Sequence, residues 1–326
     1  MSYSTFIPLI KKSGSSLSPE KFHERINIVF HNHEAVFYDE MHTDMKESLQ
    51  QQIDLLVSDL FKTNEPKFKN LRLLDVGCGT GLSTQFLLNS KIGNHIEFIT
   101  LLDSSENMLA KAKEKAEKWN KNYTIKNDYI SNVNEQYDVV IICSVLHHIP
   151  NLNLFFQDLN RVLKTGGILI HLQDPNGDEL LNIEYVDRLE IYQKQIKLQK
   201  KNKKIIDFIP KNIKNYISRL LGRKTYIDKI NDQLILEGTI KNRISANDLW
   251  SVTDIHVETK TDKSKGISLV FLKDILINYS LINSRSYGFF GFLKSDLNVE
   301  YKEKEEKLIQ KNQTNGRNLS CVWIKN

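Results

Sequence analysis

Three glycines on alternate positions, Gly77, Gly79 and Gly81, follow an acid at Asp75, and a second acid, Asp103, stands 22 residues past the last of them. A glycine turn at the start of a helix brings a ligand onto bare backbone, with the helix N-terminus aimed at it. A carboxylate about 20 residues on can accept both hydroxyls of a ribose. Together they describe a nucleoside site. No Gly-Lys-Ser/Thr follows the glycines, which excludes a P-loop, and Leu82 stands where a dinucleotide fingerprint carries its third glycine. Asp75 also puts negative charge beside the turn, which a phosphate cradle would not want. A second set is the pair His147-His148 after an apolar run. An imidazole titrates near neutrality, as a general base for a hydroxyl needs, and His148 is the candidate. His147, its neighbour, points elsewhere if the segment is extended. A third set is Asp254 and His256, which share one side if the segment Ala246–Val257 is extended. They read either as an acid-imidazole pair that deprotonates an acceptor or as polar packing. His23, His31, His33 and His42 give no H-x-x-x-H pair with a carboxylate base, so they read as solvated or packing histidines, and no metal is expected.

The elements that must hold these residues alternate strand and helix. Leu71, Leu73, Leu74 and Val76 make a short apolar run that suits a buried parallel strand, and Leu82–Asn89 continues as a helix. Ile96–Leu102 is the second strand and ends at Asp103, and Glu106–Trp119 is a helix. Asn122–Lys126 is a third strand, Tyr137–Cys143 a fourth, Leu152–Leu163 a helix, and Ile168–Leu172 a fifth strand after the stop Lys164-Thr165-Gly166-Gly167. Ser18-Pro19-Glu20 begins a helical N-terminal region, with Ser18 as cap and Pro19 at the first helical position. This order argues a doubly wound α/β sheet with its ligand at the carboxyl ends of the strands.

The run LRLLDVGCGTG, Leu71–Gly81, closely resembles the glycine-rich motif of class I S-adenosylmethionine-dependent methyltransferases. Later segments are similar to that family in turn: Asp128-Tyr129, Ser144–Pro150 (SVLHHIP), Leu163–Ile170 (LKTGGILI) and, before them, Tyr38-Asp39. The resemblance covers residues 20–175 well and the last two strands loosely. It implies a mostly parallel, seven-stranded Rossmann-like sheet with N-terminal helices. S-adenosyl-L-methionine is the implied cofactor, held by Asp75, Gly77, Cys78, Gly79, Asp103, Ser104, Met108, Asp128, Tyr129, Ser144 and Tyr38. Within that family Asp128 would meet the adenine amino group and Tyr129 would flank the ring. The post-strand-4 residues Cys143–Leu146 lack the Asn/Asp-Pro-Pro-aromatic segment of DNA-adenine and protein-glutamine enzymes, and Asp174-Pro175-Asn176 follows strand 5 and reads as a turn. No Pro-Cys exists for cytosine-C5 chemistry.

With 326 residues, the chain can bury one large core, or a core and an appendage. Its three cysteines form no C-x-x-C and suggest a reducing, cytoplasmic setting. No apolar run is long enough to span a membrane. The net charge of +5 is uneven: Ile191–Lys229 alone carries +10. That stretch includes Lys200, Lys201, Lys203 and Lys204 and an amphipathic run, Ile205–Leu221. It reads as a solvated lid helix, as a docking face for an acidic partner, or as a membrane-surface helix.

Three parts are expected: an N-terminal helical cap (1–62), a cofactor-binding core (63–177 and 266–326), and a mainly helical lid inserted after strand 5 (178–265). Gly266–Ser280 is expected as the returning helix, with Leu281–Phe292 and Leu319–Ile324 as strands 6 and 7 of a hairpin. Methyl transfer to an oxygen, less so a nitrogen, of a small molecule is the function this implies, with nucleic acid disfavoured. An RNA or carrier-protein methyltransferase and a non-catalytic cofactor-binding subunit are its rivals.

Overall fold

A computed structural model describes residues 3–63, 69–201, 225–257 and 265–326. Seven strands form one sheet: β1 (Leu71–Val76), β2 (Ile96–Asp103), β3 (Asn122–Asn127), β4 (Tyr137–Cys143), β5 (Leu163–Pro175), β6 (Tyr279–Tyr287) and β7 (Asn318–Lys325). Their order is β3-β2-β1-β4-β5-β7-β6, parallel except for β7, which runs antiparallel to both its neighbours. The order reverses between β1 and β4, and such a switch opens a crevice at the carboxyl ends of the strands.

Helices α1 (Ile7–Ser13), α2 (Pro19–Glu34), α3 (Tyr38–Met41) and α4 (Met45–Thr63) precede the sheet. Ser18 caps α2 by accepting from the Lys21 amide, with Pro19 first in the helix. Within the sheet region lie α5 (Leu82–Asn89), α6 (Glu106–Ala116) and α7 (Leu152–Val162). After β5 come α8 (Ile183–Lys201), α9 (Tyr226–Leu236), α10 (Ala246–Thr253) and α11 (Leu269–Ile275), and α12 (Val299–Gln310) joins β6 to β7.

Alternation along β1 divides the core. Leu71 and Leu73 join a cluster with Ile53, Leu56 and Leu60 of α4, while Leu74 and Val76 join Phe155, Phe156 and Leu159 of α7 on the other face. A third cluster lies off the sheet: Phe22, Ile26, Val29 and Phe30 of α2 pack with Ile230 and Leu234 of α9 and Leu249 and Val252 of α10. The second half of the segment between β5 and β6 therefore shares a hydrophobic core with the N-terminal helices. Its first helix packs elsewhere, with Tyr192 of α8 against Phe290 and Tyr301. Most of the basic stretch, including Ile205–Leu221, lies outside the described residues.

The chain crosses itself closely at Gly177 and Gly266. Gly177 donates to the carbonyl of Ile267 and Ile267 donates to that of Pro175. A Cβ on Gly266 would lie 2.5 Å from the Gly177 Cα, so this crossing tolerates only glycine.

Several expected boundaries move. β5 runs from Leu163 to Pro175 because its ladders with β4 and β7 extend beyond the apolar run; the Lys164-Thr165-Gly166-Gly167 stop lies inside the strand as an irregularity. Asp174 and Pro175, read as a turn, pair with β7. The expected helix Gly266–Ser280 shortens to Leu269–Ile275: Ser268 caps its start, and pairing of Tyr279 with Lys325 claims its end for β6. Strand 6 stops at Tyr287, and a helix replaces the expected hairpin turn. Ala246–Val257 is helical to Thr253 rather than extended; Ser245 caps it by accepting from the Asp248 amide.

Candidate functional site

The crevice is a cavity of about 650 Å³ between the carboxyl ends of the strands and the N-terminal helices. Its floor is the glycine turn. Gly77 has φ +64°, and a Cβ there would come within 2.6 Å of the Val145 side chain. Gly79 has φ +51° and lines the cavity, and a Cβ added there would meet no protein atom within 4 Å. That space is open to a ligand, and the residues present fit a nucleoside cofactor.

Asp103 closes the turn. Its Oδ2 accepts from the Gly79 amide at 2.9 Å and its Oδ1 from the Ser105 amide at 2.8 Å. Burial raises its carboxyl pKa, against those two hydrogen bonds. Asp128 lies alongside: its Oδ1 accepts from the Tyr129 amide and from Asn132 Nδ2, and its own amide donates to the Asp103 carbonyl. Ser104, Met108, Asp128, Tyr129, Cys78 and Ser144 all border the cavity. Ser144 follows β4 with a left-handed backbone, φ +60°, which turns the chain toward the two histidines.

The roof comes from the N-terminal helices, and Tyr38 borders the cavity from there. Asp39 ties roof to floor, since its Oδ1 accepts from Thr80 Oγ1 at 2.6 Å and its Oδ2 from Lys115 Nζ at 2.5 Å. Asn32 adds a second tie: its Oδ1 accepts from Ser105 Oγ at 2.7 Å. Burial alone would raise the Glu34 carboxyl, but hydrogen bonds from His31 and His42 outweigh it and hold the pKa at about 2.

Two expected contacts are displaced. Asp75 is wholly buried behind the turn and is absent from the cavity lining; its Oδ2 accepts from Ser83 Oγ and Thr84 Oγ1, both at 2.6 Å. Its position fixes the start of α5 to β1, and burial raises its pKa to about 6. His256 also lies outside the lining: its Nε2 donates to the Ile149 carbonyl at 3.0 Å and its amide to the His147 carbonyl. It braces the loop after β4. The turn after α10, closed by the Val257 amide donating to the Asp254 carbonyl, separates His256 from Asp254, which does border the cavity.

The far corner holds His147, His148 and Asp254. His148 Nδ1 donates to the Thr253 carbonyl at 2.7 Å, with Asp254 Oδ1 3.3 Å away. Burial and the neighbouring histidines His147 and His31 hold the His148 pKa well below its ordinary value. His147 borders the cavity too, and its Nδ1 lies 2.7 Å from Oδ1 of the wholly buried Asp174. Sequence reasoning set both His147 and Asp174 aside; His-His followed some 26 residues later by Asp at a strand end was the available signal. His31 lies edge-on to His148 with ring centroids 5.2 Å apart, so the N-terminal histidines His23, His31 and His42 line the cavity, while His33 bonds Gln233.

A profile of the methyltransferase-domain family matches residues 67–236, just over half the chain. The chain is similar to a demethylmenaquinone methyltransferase of Staphylococcus haemolyticus, 36% identical over 104 residues that make 31% of this chain and 43% of the relative. It is similar to a ubiquinone biosynthesis O-methyltransferase of Maricaulis maris, 31% identical over 116 residues, 33% of this chain and 42% of the relative. The matched stretch spans less than half the length of these curated relatives, and only 3% of a Fusarium hybrid PKS-NRPS synthetase that is 29% identical over 124 residues, 36% of this chain. Among solved structures, the plantazolicin methyltransferase BpumL is similar over 94% of this chain and 98% of its own, at 13% identity and a TM-score of 0.46.

Proposed function

The chain belongs to the methyltransferase-domain family as a class I S-adenosylmethionine-dependent methyltransferase, with that compound as its cofactor, and on this premise we propose that it methylates an oxygen of a small molecule. One observation carries the reading. A single cavity runs from the glycine turn and Asp103 to the corner of His148 and Asp254, so cofactor and acceptor have one continuous chamber. The cofactor supplies an activated methyl group on a sulfonium sulfur.

Gly77, Cys78 and Gly79 would hold it with backbone, Asp103 would take the ribose hydroxyls, and Asp128, Tyr129, Ser104 and Met108 would flank the adenine. Tyr38 and Ser144 complete the wall. Asp39 and Asn32 hold the helical roof to the floor of the chamber. The chain's share of the chemistry is alignment: two groups confined in one geometry react far faster than two free in solution. The acceptor oxygen would sit at the His148–Asp254 corner. Glu20, Glu24, Glu34 and Asp158 also border the cavity, and these carboxylates disfavour a phosphate backbone there. A relative named as an O-methyltransferase supports oxygen over nitrogen.

Among the described residues no helix is long and apolar enough to cross a membrane. The test incubates the purified chain and methyl-labelled cofactor with small-molecule, RNA and protein fractions separately. Label in the small-molecule fraction is expected. Label confined to RNA or protein, or none in any fraction, overturns the reading.

A further inference from the structure

We propose that His147, His148 and Asp254 bind one divalent transition-metal ion, of the zinc class, at the acceptor end of the cavity. One donor atom from each lies within 4.8 Å of the other two. Three ligands at zinc distances sit roughly 3.4 Å apart in a tetrahedron, so shifts on the order of an ångström close the set.

The independent observation is how the two imidazoles are anchored. A carbonyl oxygen can only accept, so His148 Nδ1, 2.7 Å from the Thr253 carbonyl, carries that ring's proton. His147 Nδ1 faces the Asp174 carboxylate at 2.7 Å, and the same oxygen accepts from the His147 amide at 3.0 Å. Asp174 is wholly buried, which fixes ring and backbone together. Both histidines thus engage an oxygen through Nδ1 and keep a lone pair on Nε2; His148 Nδ1 also faces Asp254 Oδ1 at 3.3 Å, so that carboxylate must swing along the ring edge to share an ion held on Nε2. Neither Nε2 has a hydrogen-bond partner among the described residues, and both residues border the cavity. That is the outer-shell arrangement of metal-binding histidines, which donate their other N–H to a carboxylate or carbonyl.

A proton would satisfy one of these acceptors; an ion satisfies two imidazoles and a carboxylate at once. The rings stand with centroids 4.0 Å apart, and Asp254, at the end of α10, reaches the corner from the inserted segment. Two nitrogens and one carboxylate suit zinc, cobalt or iron, whereas magnesium and calcium prefer oxygen throughout. Three protein ligands leave a fourth position facing the cavity. That this position takes the acceptor oxygen rests on the proposed function; the metal site itself stands on its own geometry.

The test uses the full chain, stripped with chelator and titrated with cobalt(II), whose visible absorption reports low coordination number. One equivalent bound at micromolar affinity or tighter, displaced by zinc, is expected. Asp254→Asn and His147→Ala should abolish the visible bands. Asp174→Asn, which only disturbs the outer shell, should weaken binding about 10–100-fold. Calorimetry with S-adenosylhomocysteine on each protein shows whether it is folded and keeps its cofactor site. No saturable cobalt uptake by a chain that binds S-adenosylhomocysteine overturns the metal site and leaves the cofactor reading intact. Uptake undiminished in Asp254→Asn and His147→Ala places the ion elsewhere and overturns it equally.

Discussion

Asp103→Asn is the sharpest perturbation of the cofactor site, because it keeps the side chain's shape and changes only its hydrogen-bonding sense. Both carboxylate oxygens now accept from backbone, one from Gly79 and one from Ser105. An asparagine has one oxygen, so its NH₂ must face one of those two N–H groups, donor against donor. Rotating the amide moves the conflict from one amide to the other and never removes it. A charge-assisted hydrogen bond contributes about 1.5–3 kcal/mol, and half-buried surroundings prevent water from replacing it fully. If Gly79 shifts to relieve the clash, the open space beside it narrows, and the ribose loses an acceptor. The affinity for S-adenosylhomocysteine should therefore fall about 10–100-fold, roughly 1.4–2.7 kcal/mol. Calorimetry measures it, with a thermal melt of the ligand-free protein alongside, which should drop by only a few degrees. An affinity within twofold of the parent refutes the reasoning, and more so if the melt does fall, since Asp103 would then only hold the turn together.

Gly79→Ala tests the same chamber from the other side: the added Cβ meets no protein atom within 4 Å, so the fold should lose only about 1–2 kcal/mol of left-handed backbone strain. Affinity for S-adenosylhomocysteine should fall at least tenfold in calorimetry, and unchanged binding would mean that the ligand lies elsewhere. A pH dependence should come from Glu305, which is buried and accepts from the Gly288 and Phe289 amides. Burial pushes its pKa up from 4.5 to about 7 against those bonds. The folded chain then binds more protons than the unfolded one between those values, so stability declines as pH rises from about 4.5 to 7, by up to about 3 kcal/mol. Urea midpoints at pH 5 and 8 should converge in Glu305→Gln relative to the parent, whereas an unaltered difference would show that another group carries the effect.

How far the sequence reaches is set by how local each cause is. The turn at Gly77–Gly81, the end of β2 at Asp103 and the cap Ser18-Pro19 each depend on neighbours within a few residues, and the chain spells them directly. Strand lengths depend on partners far away: β5 continues through two glycines because β4 and β7 complete its ladders, which periodicity does not register. The proposed acceptor corner is the extreme case. His147 receives its orientation from Asp174, 27 positions on, and His148 from Thr253, 105 positions on. An alternating Asp-x-His suggested that Asp254 and His256 act together. The capping of Ser245 instead carries the helix through Thr253, which leaves Asp254 facing His148 and sends His256 behind the loop to Ile149. The same distance explains why the roof was unreadable: α2 meets α9 and α10 through a core assembled from segments some 200 residues apart. Cofactor chemistry is therefore written in short words. On the proposed reading, acceptor chemistry needs α9 and α10 packed onto the N-terminal helices, which makes α10 the element whose displacement should alter acceptor choice while sparing the cofactor.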